Sequence, residues 1–111
     1  METTEAVTAL TALAQETRLE IFRFLVRRSP DGAAAGEIGQ QLGLPGATLS
    51  HHLNTLRQAG LIRQARDGRS LIYAPDFGHM NAVLGFLMDD CCAGKCAPVA
   101  TVAIKDIRRQ P

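Results

Sequence analysis

A mainly α-helical fold, with about five helices and one two-stranded β-hairpin, is predicted by three features of the sequence. Apolar residues recur at helical spacing through most of the chain. Pro and Gly interrupt it at Ser29–Gly32, Gly43–Gly46, Gly60 and Pro75. Leu61–Ala74 alone combines two short strand-like segments with a tight-turn dipeptide, Asp67-Gly68, between them.

The first helix is expected over Thr3–Ala14, with Thr3 or Thr4 as N-cap. Val7, Leu10, Leu13 and Ala14 fall on one face of it. The second runs from Glu16 to Arg28, with Leu19, Phe22, Leu25 and Val26 as the buried stripe and Ile21 on its flank. Ser29-Pro30-Asp31-Gly32 stops it, because Pro lacks the N–H and Gly is too free. Ala34–Leu42 is a short third helix, with Ile38 and Leu42 as an i, i+4 apolar pair. Gly43-Leu44-Pro45-Gly46 is a turn, Ala47–Ala59 the fourth helix, and Gly60 its cap. Leu61–Ala65 and Leu71–Ala74 form the hairpin. Asp76 caps a fifth helix reaching about Asp90, with Phe77, Met80, Val83, Leu84, Leu87 and Met88 on its apolar side. Val99–Ile104 is strand-like in composition, but helix and strand remain open there. Residues 1–96 form one domain and 97–111 a tail. This order of elements is a winged helix-turn-helix.

Bulk properties narrow the function classes. A chain of 111 residues is one domain's worth. With no Trp and one Tyr, an aromatic-lined pocket for a large ligand is not expected. No apolar run approaches the ~20 residues of a membrane helix. The segment METTEAVTAL carries two glutamates and no basic residue, unlike a secretory or transit signal. The expected location is the cytoplasm, and no membrane partner is expected. The net charge of +1 hides a segregation. Residues 1–22 hold Glu2, Glu5, Glu16 and Glu20 against Arg18 alone; residues 51–73 hold Arg57, Arg63, Arg66 and Arg69 against Asp67 alone. Such a cluster suits a phosphate backbone, although charge alone does not separate that from a solvated basic face.

The fourth helix decides between them. Leu49, Leu53 and Leu56 must face the core, which turns Ala47, His51, Asn54 and Gln58 outward, with Thr48, Ser50 and Thr55 beside them. Small hydrogen-bonding side chains suit base edges in a major groove. Residues early in such a helix contact bases, so Thr48, Ser50 and His51 are favoured over Gln58. His52 borders the apolar stripe and is expected to pack. Arg66, Arg69 and Ser70 flank the hairpin tip, where Arg can meet phosphate or enter a minor groove. The DNA-binding set is therefore Thr48, Ser50, His51, Asn54, Arg66, Arg69 and Ser70, and the partner is double-stranded operator DNA.

Several stretches resemble the ArsR/SmtB family of metalloregulatory repressors. Leu13-Ala14-Gln15-Glu16-Thr17-Arg18-Leu19-Glu20-Ile21 looks like the family's second-helix signature. Gly36-Glu37-Ile38-Gly39-Gln40-Gln41-Leu42-Gly43-Leu44 is similar to its third helix. Ser50-His51-His52-Leu53, followed by Leu56-Arg57-Gln58-Ala59-Gly60-Leu61, resembles its reading helix, and Arg66-Asp67-Gly68-Arg69 its wing turn. The resemblance covers about residues 10–90. It implies a homodimer joined through the first and last helices, and a repressor that leaves its operator when an inducer binds.

Three cysteines, Cys91, Cys92 and Cys96, follow the fifth helix. In a reducing compartment they suggest metal or redox chemistry rather than structural disulfides. Cys92 and Cys96 share a helical face, but Cys91 lies about 100° round from Cys92, so convergence requires the helix to end or unwind near Cys92. Thiolates select soft ions. Zinc prefers four ligands, whereas three sulfurs suffice for As(III) or Sb(III), the expected inducers. The family's third-helix arsenic site needs cysteines near Glu37–Leu42, and none is present. Some arsenic-responsive members carry a C-terminal Cys-Cys pair plus a third Cys, as here. Asp76 and His79 imitate half of the family's zinc site, but the other half is not evident. Methylarsenite, Cd(II) and thiol oxidation remain alternative signals. An enzyme is not expected, and no catalytic residue or catalytic cofactor is assigned. A phosphatase-like loop needs an Arg at a fixed short distance after its Cys, and the corresponding positions are Ala97, Pro98 and Val102. A winged helix used only for protein interaction is the remaining rival.

Overall fold

The computed structural model describes residues 1–89. The elements are α1 (Thr3–Leu13), α2 (Glu16–Arg27), β1 (Ala33–Ala34), α3 (Ala35–Leu42), α4 (Gly46–Gln58), β2 (Ile62–Asp67), β3 (Ser70–Pro75) and α5 (Phe77–Leu87). Five helices and a hairpin stand in the expected order. Cys91, Cys92, Cys96, the domain boundary after residue 96 and the Val99–Ile104 segment lie outside the described residues.

Helix starts follow from capping. The N-cap of α1 is Glu2, not Thr3 or Thr4. Glu5 decides this: its Oε1 accepts the Glu2 N–H at 3.0 Å, the reach-back half of a capping box. Gln15 caps α2, its Oε1 accepting the Arg18 N–H at 2.8 Å. Asp76 caps α5 as predicted, accepting the His79 N–H at 2.9 Å. That helix ends at Leu87 rather than Asp90. Acidic residues at a helix C-terminus oppose the macrodipole, so Asp89 and Asp90 make poor final residues.

Two buried stripes differ from expectation. On α1 the buried residues are Ala6, Ala9 and Ala12, while Val7 and Leu10 are 54% and 39% exposed. Small side chains let α1 lie close against α2 and α4, and that proximity leaves the larger residues outside. On α2, Ile21, Phe22, Phe24 and Leu25 are buried, whereas Leu19 and Val26 are exposed. This helix contacts α1, α3, α4 and β3, so its buried arc is rotated toward Ile21 and Phe24. On α4 the expected stripe holds: Leu49, Leu53 and Leu56 are all buried. They join Ile21, Leu25, Ile38, Leu61 and Val83 in a single core.

The sheet has three antiparallel strands in the order β1-β3-β2, not two. β1 pairs Ala33 with Tyr73 and Ala34 with Ile72. Two alanines carry no alternating pattern, so the sequence offers no strand signal there. The hairpin is longer than expected and pairs Ile62 with Pro75 through Asp67 with Ser70. Its two-residue tip is therefore Gly68-Arg69.

The α3–α4 turn depends on Gly43, whose φ of +67° suits a residue without Cβ. The turn closes with the Leu44 N–H donating to the Gly39 carbonyl at 2.9 Å. An ion pair between Arg28 and Glu37 ties the end of α2 to α3. The Arg28 guanidinium also lies over the Phe24 ring, 5.6 Å from its centroid.

Candidate nucleic-acid interface

Burying Leu49, Leu53 and Leu56 fixes the rotation of α4. Thr48, Ser50, His51 and Asn54 are consequently exposed, as are Ala47 and Gln58. Thr55 is half-buried, and its hydroxyl donates to the His51 carbonyl at 3.1 Å. It is used inside the helix rather than offered outward.

Asn54 has a neighbour that the spacing alone did not reveal. Arg57 Nη2 donates to Asn54 Oδ1 at 2.8 Å, one turn apart on the exposed face. This leaves the Asn54 amide N–H groups as its free donors. Another polar side chain lies close by. A groove of about 350 Å³ between α3 and α4 is lined by Gln40 together with Gly36, Gly46 and Ser50. Gln40 is exposed and adds a hydrogen-bonding group beside the reading face. The Ile38–Leu42 pairing, which turns Gln40 outward on α3, was the available signal for it.

The wing is exposed from Arg63 through Ser70. Its register separates the arginines. Arg66 is paired with Leu71 and shares the face of Ile62, Gln64 and buried Tyr73. Arg63 lies on the opposite face, paired with Ala74. Arg69 is at the tip itself. Among the described residues the ion pair is Arg28–Glu37, which leaves Arg63, Arg66 and Arg69 without a carboxylate partner. Unpaired arginines on a projecting hairpin concentrate positive potential next to α4.

His52 is half-buried, in agreement with its expected packing role. Its Nδ1 lies 3.3 Å from Nη1 of Arg18 on α2. Its ring centroid is 5.5 Å from that of His51. Burial first, then Arg18, then His51 hold the His52 imidazole below its ordinary pKa. Neutral His52 is therefore favoured in this arrangement.

Of the possible half-site for zinc, Asp76 already serves as the cap of α5, while the buried Nε2 of His79 has no hydrogen-bond partner among the described residues. The His79 ring packs against Gly60, where an added Cβ would lie 2.9 Å from Nε2. Among the described residues no group of three or more His, Cys, Asp or Glu side chains gathers around a possible metal position. None of their helices is long and apolar enough to cross a membrane.

A helix-turn-helix domain model matches residues 13–65. An ArsR-like transcriptional regulator from Rhodococcus sp. RHA1 superposes with a TM-score of 0.70 over 97% of this chain and 96% of its own, at 24% identity. The HlyU structure from Vibrio cholerae gives 0.64 at 30% identity, over 83% of this chain and 99% of its own. The HTH-type transcriptional regulator YgaV of Escherichia coli is 33% identical over 88 residues, covering 79% of this chain and 87% of that protein. The chain belongs to the ArsR family of winged helix-turn-helix transcriptional regulators. This is a family of regulators and not of enzymes. The uncharacterized HTH-type transcriptional regulator Rv0081 of Mycobacterium tuberculosis is 36% identical over 74 residues. The match spans 64% of this chain and 63% of Rv0081's length. A further structure of similar fold, the Mb0332 DNA-binding domain of Mycobacterium bovis, is homodimeric and has a TM-score of 0.62 at 24% identity, over 80% of this chain and 82% of its own.

Proposed function

We propose that this ArsR-family chain is a homodimeric transcriptional repressor that binds operator DNA and is released when As(III) or Sb(III) binds Cys91, Cys92 and Cys96. The observation that carries the DNA-binding part is the exposed hydrogen-bonding face of α4 beside a wing of unpaired arginines. Thr48, Ser50, His51 and Asn54 read base edges, while Arg66, Arg69 and Ser70 hold the phosphate backbone. A purely protein-binding winged helix would need neither feature.

The dimer has its own support. Val7 and Leu10 on α1, and Leu87 and Met88 at the end of α5, are large apolar side chains left exposed in the single chain. The two helices contact one another. Burial of those residues against a second copy would remove apolar surface from water, and the similarly folded Mb0332 domain is homodimeric. Two-fold symmetry would then place the two α4 helices in successive major grooves, about 10–10.5 bp apart or a multiple of that.

The cysteines follow α5 within a few residues in the sequence, so a ligand gathering the three sulfurs would be linked through a short stretch of chain to a helix assigned here to the dimer. Release requires the ion to bind the DNA-free arrangement more tightly than the DNA-bound one. The test is a titration of the reduced full-length chain on duplex DNA that it selects from a random pool. Arsenite, methylarsenite, Cd(II) and peroxide are added side by side. Replacement of Cys91, Cys92 and Cys96 together by Ser is expected to preserve DNA affinity and abolish release by arsenite. Release that survives the substitution removes the cysteines from the sensor. The relative HlyU is named a transcriptional activator, so a promoter fusion should accompany the titration. Repression is the expected sign.

The wing carries a separate expectation. Arg69→Ala should weaken binding on all sequences alike and flatten the log Kd against log salt slope by about 1. An unchanged slope takes the tip of the wing out of the phosphate contacts.

A further inference from the structure

Arg18 makes contacts on three sides. Its own N–H is held by Gln15 Oε1 at the start of α2. Its Nε donates to the Ala12 carbonyl at 2.7 Å. Ala12 lies in the last turn of α1, where carbonyls lack helical partners and the macrodipole is negative, so a guanidinium is favoured there. Its Nη1 reaches His52 on α4 at 3.3 Å. A guanidinium can only donate, so Nδ1 of His52 must be the acceptor and the ring must carry its proton on Nε2. One side chain thus joins the C-terminal end of α1 to the middle of α4. On α4 the neighbouring His51 is fully on the outer face.

We propose that Arg18 is a positioning residue that sets the pose of the reading helix by holding neutral His52 to the end of α1, and that protonation of His52 releases this hold and weakens DNA binding. The proposal rests on the DNA-binding function inferred above. A cationic His52 would present an N–H to the Arg18 N–H and repel its charge. The charged or titratable groups that bear on His52 are Arg18 from α2 and His51 on α4 itself. Through Arg18, α1 contributes the Ala12 carbonyl. Burial, Arg18 and His51 all disfavour the His52 cation. The sign follows. The docked arrangement binds fewer protons than the released one, whose histidine titrates near the ordinary value of about 6.5. The hold is therefore intact above that pH and is lost as pH falls through the lowered value of the docked form.

This predicts a direction opposite to the usual one, since added positive charge near a phosphate backbone ordinarily strengthens binding. His51 is exposed beside His52 on the same helix, so it is kept in both proteins compared. The measurement is the ratio of Kd at pH 5.5 to Kd at pH 7.5 on the selected duplex, for wild type and for His52→Asn. Asn keeps an acceptor near the Nδ1 position and does not titrate. His51 is present in both, so its contribution divides out. The wild-type ratio is expected to exceed the variant's by about threefold or more. Equal ratios overturn the proposal.

A second arm needs no DNA. The ring-nitrogen NMR shifts of His52 report which nitrogen carries the proton. In wild type Nδ1 is expected to be the acceptor, and Arg18→Gln should weaken that preference, with Arg18→Lys in its place if the Gln variant does not fold. An unaltered His52 in the variant overturns the relay whatever the DNA result. Failure of the wild type to bind any duplex at either pH overturns the DNA-binding function, and with it the relay's effect on binding. The NMR arm would still report the contact itself.

Discussion

Gly32→Ala is expected to destabilise the protein by about 3 kcal/mol or more, lowering the melting temperature by roughly 10–20 °C. Two costs combine. Gly32 has φ +76°, a region an L side chain enters at a cost of about 1 kcal/mol. A Cβ there would also stand 2.4 Å from the Tyr73 carbonyl oxygen. Nothing flexible can yield, because that oxygen belongs to the backbone of β3. The neighbouring Ala33 is paired with Tyr73, so relief would require prising β1 off the sheet. Gly43→Ala is the internal control. Its φ of +67° is similar, but an added Cβ meets open space. It should cost only about 1 kcal/mol. Thermal melts of both variants at one protein concentration check this, since a dimer's stability depends on concentration. Equal losses would leave the close approach of Tyr73 without energetic consequence.

The second large effect concerns function. Ser50→Ala combined with His51→Ala is expected to raise Kd for the selected duplex by about thirtyfold or more, as loss of two base contacts does at roughly 1–3 kcal/mol each. Both residues are exposed, so the melting temperature should hardly move. The loss should be specific: affinity for unrelated duplex, which rests on phosphate contacts, should fall much less. Asn54→Ala is expected to cost less than the pair, because Asn54 Oδ1 is already occupied by Arg57. A double variant that binds the selected duplex as wild type does would remove this face of α4 from recognition.

What could be read in the sequence follows a physical division. α4 was legible because large residues at Leu49, Leu53 and Leu56 leave one way to orient the helix. The cap on α5 was legible because Asp76 acts within a single turn. α1 was misjudged because the pattern weighs Val7 and Leu10 above alanine, while close packing prefers Ala6, Ala9 and Ala12. In a lone chain the larger residues remain outside, where a second copy could cover them. β1 escaped notice because two residues have no period. In the site, outward-facing groups such as Ser50 and His51 could be named from the helical repeat alone. The Arg18–His52 contact could not, since 34 residues separate its members and only the packing of α1, α2 and α4 brings them together.

Tyr73 has a practical consequence. It is the one tyrosine in a chain without tryptophan, and it lies nearly buried where β1 meets β3. The chain therefore carries a single strong intrinsic fluorophore, already located at the junction between the wing and the helical body. Its emission can follow rearrangement of that joint during DNA or arsenite titrations. No label is needed, and no background from other aromatic emitters of comparable strength has to be subtracted.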